Sequence, residues 1–480
     1  MQQIRVYPAT GPQVDVWAAN TTHEAVQTAI DDATSGQTVG VPAGSSTWDT
    51  TVSVTGKALT IIGAGIGQTV ITDNAAGDCF YVECSATNFV DVSGITFVKQ
   101  TPHTNGMVYI GSAVANHPAA WFEVGFRFHH CRLYDNGVAG GRGIVINGGY
   151  GLIDHCTFDV EDTTSSDQMI SPNGSYGASD GGFTPWQQDL SLGTNKAVYV
   201  EDCTFNYANQ NEDAIDAYYG ARFVIRHNTF NHVAVGYHGC DSGDARSPVS
   251  CELYDNVFHN DGVGKRALTI RGGTGVMFNN TYGGNTGWDG FHLFYYRAQY
   301  RGSSSWGDCE GSDWDIGSAN FSDQQSRRCW AADTGVRFLA ANPDTVSAVG
   351  TRYFDGDGSY GYPARDQPGR GPNGQTLSPL YQWNNGSITF GVHTNEVTDP
   401  AAVAPGSNWM TANRDYYDYT ASFDGSVGVG RGLLSARPSS GLTAGVGYFA
   451  TDTNTLYVAT NATTWATYYT PYTYPHPLVT

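Results

Sequence analysis

Positive charge is scarce in this chain: 24 Lys and Arg stand against 45 Asp and Glu, a formal net charge of −21 over 480 residues. Nucleic acid is excluded as a partner on that ground, because holding phosphates requires a cationic surface. A polyanionic ligand would need a cation to bridge the like charges. Long apolar runs are missing too. Nothing approaches the ~20 consecutive residues of a membrane-spanning helix, so no membrane partner is expected. The opening "MQQIRVYPATG" has no apolar core of the kind a secretion signal carries. An even cysteine count is also lacking, since there are nine.

What is plentiful is Gly (60), Tyr (29) and Trp (11). With so little lysine, this composition fits an extracellular, β-rich protein. The pairs Cys79/Cys84, Cys240/Cys251 and Cys309/Cys329 each enclose a short polar loop and are candidate disulfides. Near the start, "TTHEAVQTAIDDA" predicts an amphipathic helix. Thr21 and Glu24 form its capping box, and Ala25, Val26, Ala29 and Ile30 share one face. Strand-like segments follow, and six of their endings repeat: "HHCRLY", "DHCTFD", "EDCTFN", "RHNTFN", "YDNVFH" and "FNNTYG". They place Cys131, Cys156, Cys203, Asn228, Asn256 and Asn280 in equivalent positions, at steps of 25, 47, 25, 28 and 24 residues. The step of 47 reads as one ordinary coil carrying a long insertion. A period in the twenties built from strands marks a β-solenoid, whose coils bury their apolar faces only by stacking. Stacked Asn side chains can hydrogen-bond from coil to coil, and a buried Cys fills the same slot as a small apolar group. Cys131, Cys156 and Cys203 therefore read as free thiols in a ladder rather than as metal ligands.

The cap helix, the "SGQTVGVPAG" lead-in and the Asn-bearing coils resemble right-handed parallel β-helix proteins of the pectate lyase-like superfamily. The resemblance covers about residues 20–300 and implies an all-β solenoid. It implies less about chemistry, because that superfamily includes lyases, glycosidases, esterases, phage tailspikes and non-catalytic adhesins. The expected layout is an N-terminal arm over 1–20, then a β-helix over 21–400 with insertions at 161–196, 301–335 and 355–376. A C-terminal region over 401–480 completes it. Within that region, 430–466 reads as a small antiparallel meander turning at "DTNT", and the Pro/Tyr-rich tail is expected to run back along the helix.

On such a stack a binding site is an outward stripe on one sheet, walled by the longest turns, and its reading depends on register. "GIVINGG" points Val145 and Asn147 outward; "ALTIRGG" points Thr269 and Arg271 outward. Counting back from the shared Phe or Tyr puts Asp216 of "AIDAYYGARF" in the core, where a lone carboxylate costs on the order of several kcal/mol. If one extra residue sits near "YYG", Ile215 and Ala217 point in and Asp216 points out, which costs less. His238 then stands outward one coil on. The catalytic candidates are Asp216, His238, Asp213, Asp241 and Arg271. The substrate-binding candidates are Asn147, Tyr219, Arg222, Arg246 and Trp186. Taken singly, each is an ordinary polar strand or loop residue; together, carboxylate, imidazole and guanidinium converge beside long loops. Elsewhere, His129 and His130 at a strand end read as turn-capping residues. Asp355, Asp357 and Asp366 have calcium-loop spacing but lack the Gly that such a turn needs.

Two chemistries fit these candidates. In glycoside hydrolysis, Asp216 pairs with Asp213 or Asp241, His238 tunes protonation and Arg271 holds sugar. The order "NEDAID", "YHG" and "TIRGG" is similar to the acid-cluster, Gly-His-Gly and Arg-Ile-Lys order of polygalacturonase-type glycosidases. It departs from that order at Tyr237, which replaces a glycine, and at Arg271, which follows Ile270 without the motif's lysine. In β-elimination, Arg271, His238 or Tyr219 removes the C5 proton of a uronic acid while calcium neutralises its carboxylate. The expectation is an extracellular enzyme, secreted or virion-borne, that cleaves a polysaccharide, with hydrolysis slightly ahead of elimination. The alternative is a glycan-binding adhesin or tailspike-like protein without activity. A monomer or a homotrimer fits either.

Overall fold

The computed structural model describes residues 13–102, 106–111, 123–138, 140–161, 167–174, 184–208, 213–238, 246–262, 265–285, 287–294, 366, 368–372, 376–393 and 410–479. Alternating apolar residues in each short strand point to one side and meet across the coil, so three parallel sheets enclose a common core. Each coil adds a strand to each sheet, and neighbours within a sheet come from successive coils. The first sheet has twelve strands, from Val16–Trp17 to Tyr416–Tyr417. The second has nine, from Gly44–Trp48 to Thr281–Gly283, and the third has ten, from Val52–Val54 to Phe390–His393. This is a right-handed parallel β-helix, the fold that the resemblance implied, and its hand is the one that twisted strands favour. The coil continues to Tyr417, past the expected boundary at 400.

Stacking accounts for the core. Phe158, Phe205, Phe230, Phe258 and Tyr282 point inward from the second sheet and stack at centroid distances of 4.6 to 4.8 Å, the spacing of neighbouring strands. Seven first-sheet strands, from Val124–His129 to Leu380–Trp383, are each followed by one left-handed residue. His130, His155, Asp202, His227, Asp255, Asn279 and Asn384 have φ between 49° and 58°. The ladder residue comes next. Asn256 Oδ1 accepts from both the backbone N–H and Nδ2 of Asn228 at 3.0 Å, while its own Nδ2 donates to the carbonyls of Ile225 and Tyr254. Cys131, Cys156 and Cys203 occupy this column as buried free thiols. The ladder runs on to Asn385, which accepts from Asn280 at 3.0 Å across 105 residues of sequence.

Several expectations need correction. Thr22, not Thr21, caps the helix His23–Asp32, accepting from the Ala25 N–H. Thr21 is buried against Ser46 at 2.6 Å instead. Asp167–Asn173 is not inserted loop but a strand of the third sheet. Its polar residues and Pro172 disguise it, yet its inward Ile170 pairs with Ile144 and Ile215. The excursion in that coil is therefore 174–197. Cys79 and Cys84 form no disulfide; both are buried free thiols. They flank the strand Phe80–Glu83, so about 16 Å of extended chain separates them, whereas a bridge needs Cα atoms within ~7 Å. Cys251 is likewise a free thiol in the core; Cys240, Cys309 and Cys329 lie outside the described residues.

At the C-terminus, Gly447–Ala450, Thr455–Ala459 and Trp465–Tyr469 form the expected antiparallel meander, and Val429–Gly432 adds a parallel strand to it. This small sheet covers the outward face of the first sheet, making a second apolar core with Tyr199, Val224, Phe278 and Trp383. The tail then runs back along the coils. Arg226 donates to the carbonyls of Tyr472 and Thr473 at 2.7 and 2.8 Å, and Tyr474 stacks on His227 at 3.6 Å. No helix among the described residues is long and apolar enough to cross a membrane.

Candidate active site

Register decides where Asp216 points. Ile144, Ile170, Ile215, Val235 and Leu268 form one inward row of the third sheet. The next residue in each strand belongs to the outward row Val145, Ser171, Asp216, Gly236 and Thr269. Asp216 is therefore outward. The extra residue lies in the turn that follows, because Ala217 to Phe223 is one residue longer than the register-equivalent step from Ile146 to Gly151. Tyr219, at φ 53°, and Gly220, at φ 77°, absorb it in left-handed conformations.

Outward is not exposed, however: Asp216 keeps only 2% of its surface. Gln168 Nε2 and the Tyr218 hydroxyl donate to its Oδ2, the latter at 2.7 Å. His238 Nδ1 bridges both carboxylate oxygens, at 2.8 Å from Oδ1 and 2.7 Å from Oδ2. The His238 ring lies flat on Tyr218, with centroids 4.5 Å apart and planes at 10°. Arg142 sits over the same tyrosine at 5.2 Å and donates to Gln168 Oε1 at 3.1 Å. Burial, followed by the charge of Asp216, holds the Tyr218 hydroxyl well above the usual phenol range, so it remains a donor. The His238 side chain stays 27% exposed. With Nδ1–H given to a carboxylate, its Nε2 retains a lone pair for another partner.

Asp213 opens the same strand, and its carboxylate lies over Gly236, where an added Cβ would overlap it. Gly236 is the Cα partner of Asp216 in the next coil, so the two carboxylates share one patch. Arg271 follows the strand Lys265–Ile270, two residues beyond the Gly236–Thr269 pair and thus level with His238. Asn147 is two coils before Asp216 and donates to the Tyr109 hydroxyl at 2.7 Å. Tyr219 lies beside Tyr218 at the turn, ring centroids 5.8 Å apart. Asp213, Asp216 and His238 thus come together, with Arg271 and Tyr219 at their edge.

Three other candidates are placed differently. Arg222, Arg246 and Trp186 are all buried. Arg222 donates to the carbonyls of Pro185, Gln188 and Asp189 at 2.7 to 3.1 Å, fastening the 174–197 excursion to the coil. Trp186 donates to the Ser247 carbonyl at 2.7 Å and packs under the Arg246 guanidinium at 4.7 Å. Arg246 in turn makes a two-pronged pair with Asp366 at 2.8 and 2.5 Å, which occupies the carboxylate that calcium would need. Asp241, Asp355 and Asp357 lie outside the described residues. The sequence reading missed Gln168, Ser171 and Tyr218. The first two sit on the strand taken for an insertion, where Ser171 Oγ donates to the Asp216 carbonyl at 3.0 Å. For Tyr218, the only signal was a tyrosine pair beginning two residues after an acid.

Fold and site define this chain as a right-handed parallel β-helix with an acid–imidazole cluster on its third sheet. No protein-family model and no curated protein matches the sequence. Among solved structures it is similar to an alginate lyase from Paenibacillus sp. str. FPU-7, with TM-score 0.32 and 14% identity over 57% of this chain and 98% of that one. It is also similar to ORF18 of Geobacillus virus E2, with TM-score 0.22 and 15% identity over 55% of each chain. A third is the catalytic domain of a GH87 alpha-1,3-glucanase in complex with tetrasaccharides, with TM-score 0.25 and 12% identity over 59% of this chain and 68% of that one. These likenesses concern the fold.

Proposed function

We propose that the protein binds a polysaccharide along the outward face of the third sheet and cleaves it, with His238 exchanging the proton. What supports this reading is the division of labour between Asp216 and His238. Asp216 is enclosed and accepts from three side chains, so it orients the imidazole. His238 remains open at Nε2, the arrangement a general acid or base needs. Asp213 supplies a second acid in the same patch.

The enclosure of Asp216 moves the preference from hydrolysis to β-elimination. Hydrolysis requires two carboxylates that both reach the sugar, and of this pair only Asp213 is not enclosed. In elimination, His238 Nε2 takes the C5 proton of a uronic acid, the C4–O bond breaks and a C4=C5 double bond forms. The leaving oxygen takes a proton from Asp213 or solvent. Arg271, level with His238, neutralises the uronate carboxylate, and a calcium ion is the other group suited to that task in so acidic a chain. An extracellular setting belongs to the same proposal, although the cysteines among the described residues are free thiols and lend it no disulfide.

A panel of neutral and uronic-acid polysaccharides tests this reading. New reducing ends together with the ultraviolet absorbance of an unsaturated uronate support elimination. Reducing ends alone support hydrolysis through Asp213. Binding with neither product identifies a glycan-binding protein without catalysis and overturns the proposal.

A further inference from the structure

We propose that His129, His130 and Asp154 form a binding site for a divalent transition-metal ion of the zinc class, at the corner between the first and second sheets and apart from the Asp216 cluster. Among the described residues, the donor atoms of these three lie within 4.8 Å of one another. The backbone brings them together in a definite way. His129 ends the strand Val124–His129, Asp154 is its Cα partner in the next coil, and His130 is the left-handed corner residue at φ 49°.

The pattern of hydrogen bonds identifies the free lone pairs. His129 Nε2 lies 2.8 Å from Asp91 Oδ1, which makes that nitrogen the N–H end. Its Nδ1 then presents a lone pair to His130 Nδ1, 2.7 Å away. Two imidazole nitrogens that close share one proton. Separated to on the order of 3.3 Å, they instead accommodate a metal at ~2.0–2.1 Å from each. The proton displaced from His130 Nδ1 moves to its Nε2, so the pair stays neutral. A carboxylate behind a ligating imidazole, as Asp91 stands behind His129, is the support such ligands use to fix tautomer and raise basicity. The His130 ring is held by stacking on His155, with centroids 4.8 Å apart and planes at 2°.

Asp154 completes the set. Arg127 donates to its Oδ1 at 2.9 Å and its Oδ2 at 2.8 Å, and His155 Nδ1 lies 2.8 Å from Oδ2. Oδ1 therefore keeps a lone pair. The adjacent guanidinium disfavours a weakly held hard ion such as calcium, whereas imidazole nitrogens suit zinc, nickel or copper. A further imidazole, His476 of the tail, is 2% exposed beside this corner, within reach of the charges on Asp154 and Arg127, and its Nε2 has no hydrogen-bond partner. A metal here would clasp two successive coils where the tail ends.

The test is calorimetric titration of the untagged, metal-stripped full chain with Zn2+ near neutral pH, with Ca2+ in parallel. One equivalent of Zn2+ should bind, and an excess of Ca2+ should not compete for it. His130→Asn, which tolerates the left-handed corner, should weaken Zn2+ binding at least 100-fold. Asp91→Asn, which leaves all three ligands in place, should weaken it ~10–100-fold. Co2+ should give visible ligand-field absorption that His130→Asn abolishes. No stoichiometric Zn2+ binding, or equal affinity in both variants and the parent chain, overturns the proposal.

Discussion

The outward faces of the first and third sheets both enclose carboxylates, but with different partners. On the first sheet, Glu201 meets Arg226 at 2.6 Å with both side chains fully buried, sealed beneath the C-terminal sheet and tail. On the third, Asp216 is just as enclosed, yet its partner His238 stays 27% exposed. A buried acid is therefore a poor marker of function in this fold. The informative feature is what the acid holds. A guanidinium cannot give up a proton near neutral pH, whereas an imidazole half open to solvent can.

Replacing each partner should break this comparison in opposite ways. His238→Ala should lower the cleavage rate ~10²–10⁴-fold and leave the unfolding midpoint within a few degrees, checked by product release and thermal unfolding of the same sample. Arg226→Ala should do the reverse. Leaving Glu201 buried and unpaired costs about 3–5 kcal/mol, and the lost bonds to Tyr472 and Thr473 should release the tail to proteolysis. The rate per folded molecule should stay within about threefold. If Arg226→Ala abolished cleavage in a fully folded chain, the working face would have been assigned to the wrong sheet.

This contrast explains what could be seen in the sequence. The solenoid was legible because stacking forces equivalent residues to recur, and Asn228, Asn256 and Asn280 recur at a corner whose geometry demands them. The ladder's continuation to Asn385 was hidden, since the 105 residues between it and Asn280 break the period without breaking the stack. Asp216 was legible as outward because a lone carboxylate in the core costs more than one extra residue at a turn. Its partners on Asp167–Asn173 were not, because a strand containing Pro172 and four polar residues carries no alternation that counting can detect. Trp186, Arg222 and Arg246 looked like ligand-binding types, but side-chain type does not reveal that Ser247, the carbonyls of 185–189 and Asp366 already engage them. Strand periodicity does not separate an outward row that faces solvent from one that another sheet covers, and it is the C-terminal sheet that makes a core of Tyr199, Phe278 and Trp383.

A smaller effect separates the two faces by pH. Burial pushes Glu252, on the first sheet's outward side, up to about 7, although the Gly193 N–H and the Tyr469 hydroxyl bond to its carboxylate at 2.7 and 2.6 Å. Its ordinary value is 4.5. Between those values the native state holds a proton that the unfolded chain has lost, so stability falls as pH rises from about 4.5 to about 7 and is level above. The span is worth about 3 kcal/mol. Glu252→Gln should flatten this slope in chemical denaturation across that range, with no change in the shape of the pH–rate profile. A profile that shifted with the variant would mean that the sealed face communicates with the site.

The smallest change in stability should come from Gly236→Ala, and it bears most directly on the chemistry. The added Cβ overlaps the Asp213 carboxylate, which is the far end of a flexible side chain rather than backbone. The carboxylate can swing aside, so the unfolding free energy should change by no more than about 1 kcal/mol. Asp216, His238 and Tyr218 keep their bonds to one another, because none of them occupies that space. If Asp213 gives or takes a proton at the substrate, cleavage should fall ~10-fold or more in Gly236→Ala and further in Asp213→Ala, since proton transfer requires hydrogen-bond reach. If both variants cleave at the parent rate, Asp213 is only a surface acid. Among the described residues His238 would then act without a second carboxylate, a result that rules out hydrolysis through the Asp213 pair and favours elimination.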